Sequence, residues 1–416
     1  MSQIKIIPNE CPKSGCGWVL DLMSTPEMEK VLAFHKSFPQ YAETPLVKLA
    51  ALAQKLGVKG VYIKDESHRF GLNAFKVLGG SYAIAKYIAQ RLGRDVSEMT
   101  YGYLCSEALR EKIGQITFFT ATDGNHGRGV AWAANKLGQK AVVYMPAGSS
   151  LTRLENIRAE GAEASIIDGN YDDAVRLAAA HSAKVPGSVV VQDTAWEGYE
   201  EIPSWIMQGY GTMAVEADNQ LKAYDAVPTH IFVQAGVGSL AGAVQGYYCA
   251  KCAEQKKEPI VIIVEPHAAN CLFKSAEAKD YRVVDGNLKT IMAGLACGEP
   301  NTISWELLKN HSAFFASCPE WAAVRGMRVL SSPLEGDARV VSGESGAVGA
   351  GLFTTLMLDD DYQVLRDQLG LQEDSVVLLF STEGNTDPEV YLNIVWDRGY
   401  YLSPAQIDKG VMEVED

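Results

Sequence analysis

The feature that most constrains the fold is a regular alternation of short apolar segments and helical segments that begins at Ile116. In chain order the segments are ITFFT, RGVAWAANKLG, AVVYM, LTRLENIRAEG, ASIID, YDDAVRLAAAHSA and SVVVQ. The strand segments are continuously apolar rather than alternating, which is typical of a parallel sheet covered on both faces. Four strands and three helices therefore predict a doubly wound α/β unit.

A second alternating set follows a long helical segment, IPSWIMQGYGTMAVEADNQL. Its segments are HIFVQ, AVQGYYCAKCAEQ, IVIIVEP and, after a mixed region, SVVLLF. Because a chain of 416 residues is too long for one ordinary core, two domains are expected. The predicted fold is α/β, with two open doubly wound domains and the active site in the cleft between them, where ligands commonly bind.

The balance of charge and the apolar pattern exclude some partners. The chain carries 37 basic and 51 acidic residues, a net charge of −14, without a basic run, so neither nucleic acid nor an anionic membrane is an expected partner. An anionic ligand would need a trap made of backbone amides. No apolar stretch approaches the roughly 20 residues of a membrane-spanning helix, and the N-terminus lacks the apolar centre of a signal peptide, so a cytoplasmic protein is predicted.

Eight cysteines are scattered along the chain without the density of a disulfide scaffold. Cys249 and Cys252 have C-x-x-C spacing, but they fall inside an apparent helix and no second pair lies at zinc spacing. They are interpreted as buried or inert thiols, and no metal site is expected. Cys271 and Cys297 each follow a loop on the predicted active-site side. A redox link between them is a hypothesis that unchanged free-thiol counts under oxidant would remove.

One lysine has an unusual predicted environment. A strand at Val61–Lys64 leads through a polar loop to a helix that opens near Asn73, a favoured N-cap residue, which places Lys76 in the first helical turn. The helix dipole and apolar neighbours such as Phe75 both lower a lysine pKa, and a neutral amine can form a Schiff base with an aldehyde. The alternative is a solvated lysine without a chemical role.

Polar and glycine residues follow five strands of the predicted sheets, where each strand ends. They are Asp123–Gly127 after ITFFT, Asp193 after SVVVQ, Gly236–Ser239 after HIFVQ, Glu265 after IVIIV and Ser381–Asn385 after SVVLLF. Ligands of open α/β sheets sit beyond the carboxyl ends of the strands. Turn chemistry alone does not account for five such ends, so these residues are predicted to line a ligand site.

The loop Gly236–Ser239 lies between a strand and a helix and presents consecutive backbone N–H groups at a helix N-terminus. This arrangement binds phosphate without a basic side chain, which suits an acidic protein with an anionic ligand. Two other interpretations stay open. Gly236-x-Gly238-x-x-Ala241 also matches the dinucleotide fingerprint, with Glu265 placed to contact a ribose, and the glycines could serve only a tight turn.

Several side chains at these strand ends have both a catalytic and a structural interpretation. The Asp123–Gly127 loop can hold a carboxylate with its backbone amides, with Asn125 as an orienting amide, or it can be a capped turn. His126 is a base or a structural histidine. Asp193 is a catalytic carboxylate or a helix cap. Thr382 either hydrogen-bonds a ring nitrogen or simply ends its strand.

Other acidic residues have plainer interpretations. Glu344 in SGESGAVG is interpreted as an acid at a helix N-terminus that the dipole stabilises. Glu200, Glu201 and Glu216 have the spacing of a solvated helix surface.

Four motifs occur in a specific order over some three hundred residues: Asn73–Lys76, Asp123–Gly127, Gly236–Ser239 and Ser381–Asn385. This order resembles the fold-type II pyridoxal-phosphate enzymes, the superfamily of the tryptophan synthase β-subunit and threonine dehydratase. Within it, ATDGNHGRGVAW, QDTAWEGYEEIPSWIMQGYGTM and STEGNTDPEVY most resemble the diaminopropionate ammonia-lyases, and the similarity runs over nearly the whole chain.

The resemblance implies a role for each matching position. Lys76 would be the lysine that forms a Schiff base with the cofactor, pyridoxal 5'-phosphate, with Phe75 beside it. Asn125 would face the cofactor's phenolic oxygen, and Thr382 would meet its pyridine nitrogen. The residues that would bind its phosphate are Gly236, Val237, Gly238, Ser239 and Leu240.

One position departs from the wider superfamily, which usually has serine or threonine where this chain has Asp123. The departure disfavours a plain hydroxy-amino-acid dehydratase. It agrees with the diaminopropionate ammonia-lyases, in which aspartates matching Asp123 and Asp193 are implicated in substrate binding and proton transfer. Gly124, Asn125 and His126 would complete the substrate-binding loop. The substrate would be 2,3-diaminopropionate, in both the D and L forms, and the products pyruvate and ammonia.

The same resemblance implies a homodimer and a discontinuous domain layout. A large cofactor-binding domain would comprise residues 1–88 and 228–416, and a small domain residues 89–227.

Three rival functions stay open. A serine or threonine dehydratase would be separated by a substrate panel. A nicotinamide-binding dehydrogenase is supported only by the glycine fingerprint and Glu265, and it leaves Lys76 unexplained. The third is a non-catalytic protein that binds a small ligand. A yellow protein that borohydride bleaches would reject both interpretations without pyridoxal phosphate.

Overall fold

Strands and helices alternate along most of the chain. The computed structural model describes residues 3–13, 17–255 and 258–396. In these ranges the strands are β1 (Lys5–Pro8), β2 (Leu46–Lys48), β3 (Gly60–Asp65), β4 (Thr117–Ala121), β5 (Lys140–Met145), β6 (Glu163–Ile166), β7 (Val189–Val190), β8 (His230–Gln234), β9 (Ile260–Pro266), β10 (Phe314–Cys318) and β11 (Val376–Ser381). The α-helices are α1 (Gly17–Leu22), α2 (Thr25–Lys36), α3 (Ala50–Leu56), α4 (Val77–Leu92), α5 (Tyr101–Leu104), α6 (Glu107–Ile113), α7 (Asn125–Lys136), α8 (Leu151–Ala159), α9 (Tyr171–Ser182), α10 (Glu201–Lys222), α11 (Ser239–Gln255), α12 (Cys271–Ala278), α13 (Thr302–His311), α14 (Glu320–Ser331), α15 (Glu344–Leu358), α16 (Gln363–Leu369) and α17 (Pro388–Val395).

The strands form two sheets, each with a parallel core. The larger sheet has the order β1-β10-β9-β8-β11-β3-β2, in which only the edge strands β1 and β2 pair antiparallel with their neighbours. The smaller sheet has the order β6-β5-β4-β7, and all its pairs are parallel. The α/β fold with two doubly wound units is therefore confirmed. The sequence did not predict the short edge strands β1 and β2 or the internal strand β10, because none of the three segments has the long apolar run of the other central strands.

The carboxyl ends of three central strands lie side by side. Every residue of β3, β8 and β11 is buried, as expected of strands with helices on both faces. The register pairs Ser381 at the end of β11 with Asp65 at the end of β3, and β8 pairs with the other side of β11. The loops after these strands, which carry Lys76, the glycine-rich loop and Thr382, therefore emerge at one edge of the sheet.

Helix α10 is buried along most of its length because α2, α4 and α11 all pack against it. Glu216 on this helix has no exposed side-chain surface, and it forms ion pairs of 2.7 Å with Lys64 and with Arg69. The prediction that Glu216 lies on a solvated surface is wrong, because its partners come from the distant strand β3 and the turn after it. Glu200 and Glu201 are exposed, as predicted.

The strands of the smaller sheet fall between Thr117 and Val190, inside the range 89–227 predicted for a small domain. Helix α4 runs unbroken through Leu92, across the predicted limit at residue 88. The domain limits stay a prediction. Within the described ranges, no helix combines the length and the apolar character needed to cross a membrane.

Candidate active site

Lys76 lies immediately before α4, at the end of a segment that the far end of the chain holds in place. Asn73 adopts a left-handed conformation with φ of 61°, and its carbonyl oxygen accepts the Gly384 N–H at 3.0 Å. The Phe75 N–H donates to the Thr382 carbonyl oxygen at 3.1 Å. The prediction that Asn73 caps the helix is therefore wrong. This segment pairs with the loop after β11, and the helix begins only when that pairing ends.

The Lys76 amine forms an ion pair with the Asp193 carboxylate. Burial alone would lower the pKa of Lys76, but attraction to Asp193 raises it above its ordinary value. The predicted lowering of the lysine pKa is wrong for this arrangement, because it took no account of a carboxylate from another strand end. Burial likewise opposes ionisation of Asp193, yet Lys76 holds the pKa of Asp193 at about 2.

Asp123 follows β4 and is half-buried at the wall of the same cavity. Burial raises the pKa of its carboxyl above the ordinary value, although Arg153 and Lys76 oppose that shift. The two aspartates therefore shift in opposite directions, so that Asp193 is held as a carboxylate and Asp123 protonates more readily. Carboxyl groups whose environments separate their pKa values can divide the roles of base and acid.

The glycine-rich loop joins β8 to α11 and forms another wall of the cavity. Gly238 has a φ of 104°, and a Cβ at Gly236 would lie 3.1 Å from the Cys297 Sγ. Glycine is therefore required by backbone conformation at one position and by close packing at the other. The Ser239 Oγ donates to the Asp193 carbonyl oxygen at 2.7 Å, which ties this loop to the backbone of the aspartate that holds Lys76.

Thr382 follows β11 directly and is buried. The Gln234 side chain donates through Nε2 to the Phe380 carbonyl oxygen at 2.9 Å and to the Thr382 Oγ1 at 2.8 Å. Because the Thr382 oxygen accepts this bond, its own proton is left to donate to another acceptor in the cavity. Gln234 was not predicted from the sequence, although it is the last residue of β8 and stands two residues before the glycine-rich loop.

Asn125 is the first residue of α7 and donates through Nδ2 to the Glu383 Oε2 at 2.5 Å. The other oxygen of Glu383 accepts the Ser345 N–H at 3.1 Å. Because a carboxylate only accepts hydrogen bonds, the Asn125 amide must turn its NH2 group toward Glu383. One of the two N–H groups donates to Glu383, and the other is left for a ligand oxygen. Glu344 lies beside this pair; burial and then Glu383 raise its pKa to about 7, so the helix dipole does not govern it as predicted.

His126 is buried behind Asp193. Its Nε2 lies 2.8 Å from the Val191 carbonyl oxygen, and its Nδ1 lies 4.0 Å from the Asp193 Oδ2. Burial lowers its pKa, although Asp193 opposes the shift, so the ring is neutral and donates through Nε2. This geometry supports the structural interpretation of His126 as a support for the Asp193 segment.

The predicted residues meet in one cavity of about 460 Å³, within the range of a small-molecule site. Those that line it are Phe75, Lys76, Asp123, Asn125, His126, Asp193, Gly236, Val237, Gly238, Ser239, Leu240 and Thr382. Gly124 does not line it and packs instead against Arg153, whose Cδ would lie 3.0 Å from a Cβ there. The lining residues Gln234 and Ser345 were not predicted from the sequence, whereas Glu383 falls in the predicted Ser381–Asn385 stretch and Cys297 on the predicted active-site side.

The donor set of the cavity fits pyridoxal 5'-phosphate. An amine that can condense with an aldehyde lies in the same cavity as a loop of backbone amides at the N-terminus of α11, which suits a phosphate. The Thr382 hydroxyl and the Asn125 amide each keep a hydrogen for an acceptor, as a ring nitrogen and a phenolic oxygen require. The buried Gln234 Oε1 has no partner among the described residues, which marks a further polar atom left for a ligand or water.

Comparison with known proteins agrees with this fit. The family of pyridoxal-phosphate dependent enzymes matches residues 38–381. Diaminopropionate ammonia-lyase of Salmonella typhimurium is 54% identical over 389 residues, which cover 92% of this chain and 96% of that protein. The crystal structure of the Escherichia coli diaminopropionate ammonia lyase in complex with an aminoacrylate-PLP azomethine reaction intermediate matches with a TM-score of 0.87 at 44% identity, covering 96% of this chain and 99% of that one. The same enzyme in complex with D-serine matches with a TM-score of 0.88, at the same identity and coverage.

Fold and site together define a pyridoxal-phosphate-dependent enzyme of fold type II. This confirms the predicted cofactor and the predicted position of the site between two α/β units. More narrowly, the chain belongs to the diaminopropionate ammonia-lyase family. The roles of individual residues stay predictions.

The nicotinamide-binding alternative is wrong. Glu265, its candidate ribose ligand, is buried and accepts the backbone N–H groups of Leu272 at 2.9 Å and Phe273 at 2.6 Å. Both carboxylate oxygens therefore serve the start of α12. Cys271 and Cys297 are free thiols in this structure, so it gives no support to a link between them.

Proposed function

We propose that this chain converts 2,3-diaminopropionate, in both the D and L forms, and one molecule of water to pyruvate and two molecules of ammonia. The observation that carries the proposal is the meeting in one cavity of a lysine amine, two aspartates with opposite pKa shifts and a glycine-rich amide loop. The substrate follows the activity of the family to which the chain belongs. A substrate with two amino groups that can each carry a positive charge also suits a cavity that holds two carboxyl groups.

Each cofactor contact has a candidate donor in the chain. Lys76 would hold the cofactor covalently, Gly236–Leu240 would bind its phosphate, Asn125 would donate to its phenolic oxygen and Thr382 to its ring nitrogen. When bound, pyridoxal phosphate supplies an electron sink for negative charge at the substrate α-carbon. Because Thr382 is set to donate, it favours a ring nitrogen without a proton. A weaker sink of that kind favours loss of a group from the β-carbon over reprotonation at the α-carbon.

The aspartates would manage the protons of the reaction. The leaving group is an amine, which must be protonated to depart, and Asp123 protonates more readily than an ordinary aspartate. Asp193 stays ionised beside Lys76, where it can pair with a substrate ammonium and accept a proton. If Lys76 removes the α-proton of one isomer and an aspartate removes it from the other, both isomers would be turned over.

A substrate panel tests the proposed reaction. We expect pyruvate from both isomers of 2,3-diaminopropionate, with two equivalents of ammonia for each pyruvate, and lower kcat/KM with serine and threonine. A higher kcat/KM with serine or threonine would assign the chain to the dehydratases instead. Absence of activity on the D isomer would remove the dual specificity and leave the rest intact.

Chemical trapping tests the proposed role of Lys76. We expect the purified protein to be yellow, borohydride to bleach it, and peptide mapping to find the pyridoxyl group on Lys76. An adduct on a different lysine would overturn the assignment of the site.

We also propose a cytoplasmic homodimer. None of the seven described cysteines forms a disulfide, which suits a reducing compartment. The dimer rests on the family resemblance alone. Cell fractionation and light scattering of the purified protein measure the two properties directly.

A further inference from the structure

The C-terminal half of α11 carries cysteines that lie close to a glutamate and a histidine from other segments of the chain. This half carries Cys249 and Cys252, both buried. His311 ends α13, a helix that packs against α11, and the exposed Glu258 lies shortly before β9. The Cys249 Sγ, a Glu258 carboxylate oxygen and a His311 ring nitrogen all lie within 4.8 Å of one another.

We propose that Cys249, Glu258 and His311 bind one zinc ion outside the catalytic cavity. Thiolate, carboxylate and imidazole are the three ligand types of protein zinc sites, whereas magnesium and calcium take oxygen ligands. Zinc–ligand bonds of about 2.0–2.3 Å place tetrahedral ligand atoms roughly 3.5 Å apart, so the side chains need only a small movement to close on the ion. Three protein ligands leave the fourth tetrahedral position to a water molecule.

A second set of side chains already orients the sulfur. The Gln245 Nε2 donates to the Cys249 Sγ at 3.1 Å, and the Ser312 Oγ donates to the Gln245 Oε1 at 3.1 Å. Both supporting residues are buried. Hydrogen bonds of this kind orient metal ligands, and here they connect the start of the segment after α13 to the cysteine on α11.

The site is separate from the catalytic cavity. Ser239, at the start of α11, lines that cavity, and ten residues of helix, a rise of about 15 Å, separate it from Cys249. A zinc ion here would not touch the cofactor. It would tie α11, α13 and the segment before β9 together, so its effect is on stability rather than on turnover.

Zinc uptake by the cofactor-loaded protein tests the proposal. The wild type, Cys249→Ser, His311→Ala and a control, Cys105→Ser, are stripped with a chelator and titrated with zinc chloride against a chromogenic chelator. Cys105 is half-buried and its thiol donates to the Lys136 carbonyl oxygen, so the control removes a thiol far along the chain from the site. We expect the wild type and the control to bind one more zinc ion per chain than the other two, and zinc to raise Tm only in the first pair. Affinity in His311→Ala should fall at least about tenfold.

Cobalt reports the ligands directly, and the spectrum of the wild type alone needs no variant that could fail to fold. With cobalt(II) chloride the wild type should show strong visible bands of tetrahedral cobalt and a near-ultraviolet thiolate charge-transfer band, and Cys249→Ser should lose the latter. Unchanged cofactor absorption and turnover in His311→Ala would show that its catalytic site is intact. Equal zinc uptake by all four proteins, or a cobalt spectrum of the wild type without a thiolate band, would overturn the proposal.

Discussion

Two lysines of this molecule show how a buried structural cation differs from a reactive one. The Lys64 side chain has no exposed surface, and its amine lies 2.7 Å from the Thr44 carbonyl oxygen, 2.8 Å from the Gln220 Oε1 and 2.7 Å from the Glu216 Oε2. An ammonium has three N–H donors, so the protein itself uses all of them. Nothing is left for a ligand.

Lys76 is placed differently. Its side chain is 19% exposed, and its amine pairs with Asp193 while facing the cavity. The two lysines have a similar partner in a buried carboxylate, and they differ in spare hydrogen-bonding capacity. Burial and an ion pair therefore do not by themselves identify a reactive lysine. What distinguishes Lys76 is an amine that is accessible from the cavity and keeps N–H groups for a ligand.

The charges around the two lysines differ in the same way. Lys64 and Arg69 face Glu66 and Glu216 in a fully buried cluster with two charges of each sign, and Arg69 bonds both glutamates. Around Lys76 the carboxylates outnumber the cations, which leaves room for a cationic substrate. The first cluster is therefore expected to govern folding and the second turnover.

The largest effect is expected for Lys76→Ala, which removes both the covalent attachment and a base. Turnover should fall more than about 10⁴-fold, the upper end of acid–base catalysis. Tm should fall less than in Lys64→Met, because the Asp193 carboxylate that is left unpaired lies at the wall of a cavity. Pyruvate release and thermal denaturation of the purified variant measure the two. A variant that unfolds would break the comparison, since it would make Lys76 a structural cation too.

Lys64→Met tests whether Lys64 is a structural cation. It leaves Glu216 with one cation instead of two, and breaking a buried pair costs about 3–5 kcal/mol, so the urea midpoint should fall. Turnover per folded molecule should stay near that of the wild type. The exposed Lys59→Met is the matched control, for which a change of less than about 0.5 kcal/mol is expected. A large loss of turnover in folded Lys64→Met would contradict the separation of roles.

Asp193→Asn and Asp123→Asn sharpen the comparison within the reactive cluster. Each should lower turnover by about 10²-fold or more, equivalent to about 2.7 kcal/mol. Asp193→Asn should also lower the pKa of Lys76, because the attraction that raises it is lost. The exposed Asp168→Asn is the control. Initial rates across pH measure both effects, and wild-type rates in the two active-site variants would mean that their roles are misassigned.

The sequence predicted features that depend on neighbouring residues better than contacts between residues far apart along the chain. Local patterns were enough for the central strands other than β10 and for the residues that follow them, because parallel strands end at one edge. Contacts between distant segments were missed. Asn73 is not a cap because it pairs with Gly384, and Glu216 is buried because Lys64 and Arg69 come to it from β3 and the turn beyond. Neither pairing leaves a local signal.

The smallest effect is expected for Gln234→Met, which removes the donor to Thr382. One hydrogen bond is worth about 1 kcal/mol, so turnover should fall about fivefold, and the visible absorption of the bound cofactor should shift because the Thr382 proton is no longer directed at its ring nitrogen. If Gln234 acts through Thr382, the same change made in Thr382→Ala should add almost nothing, since the two residues form one interacting unit. Additive losses in the double variant would show instead that Gln234 supports only the packing of β8 and β11. Gln234 would then be a structural residue, as Lys64 is, and Thr382 alone would face the ligand, as Lys76 does.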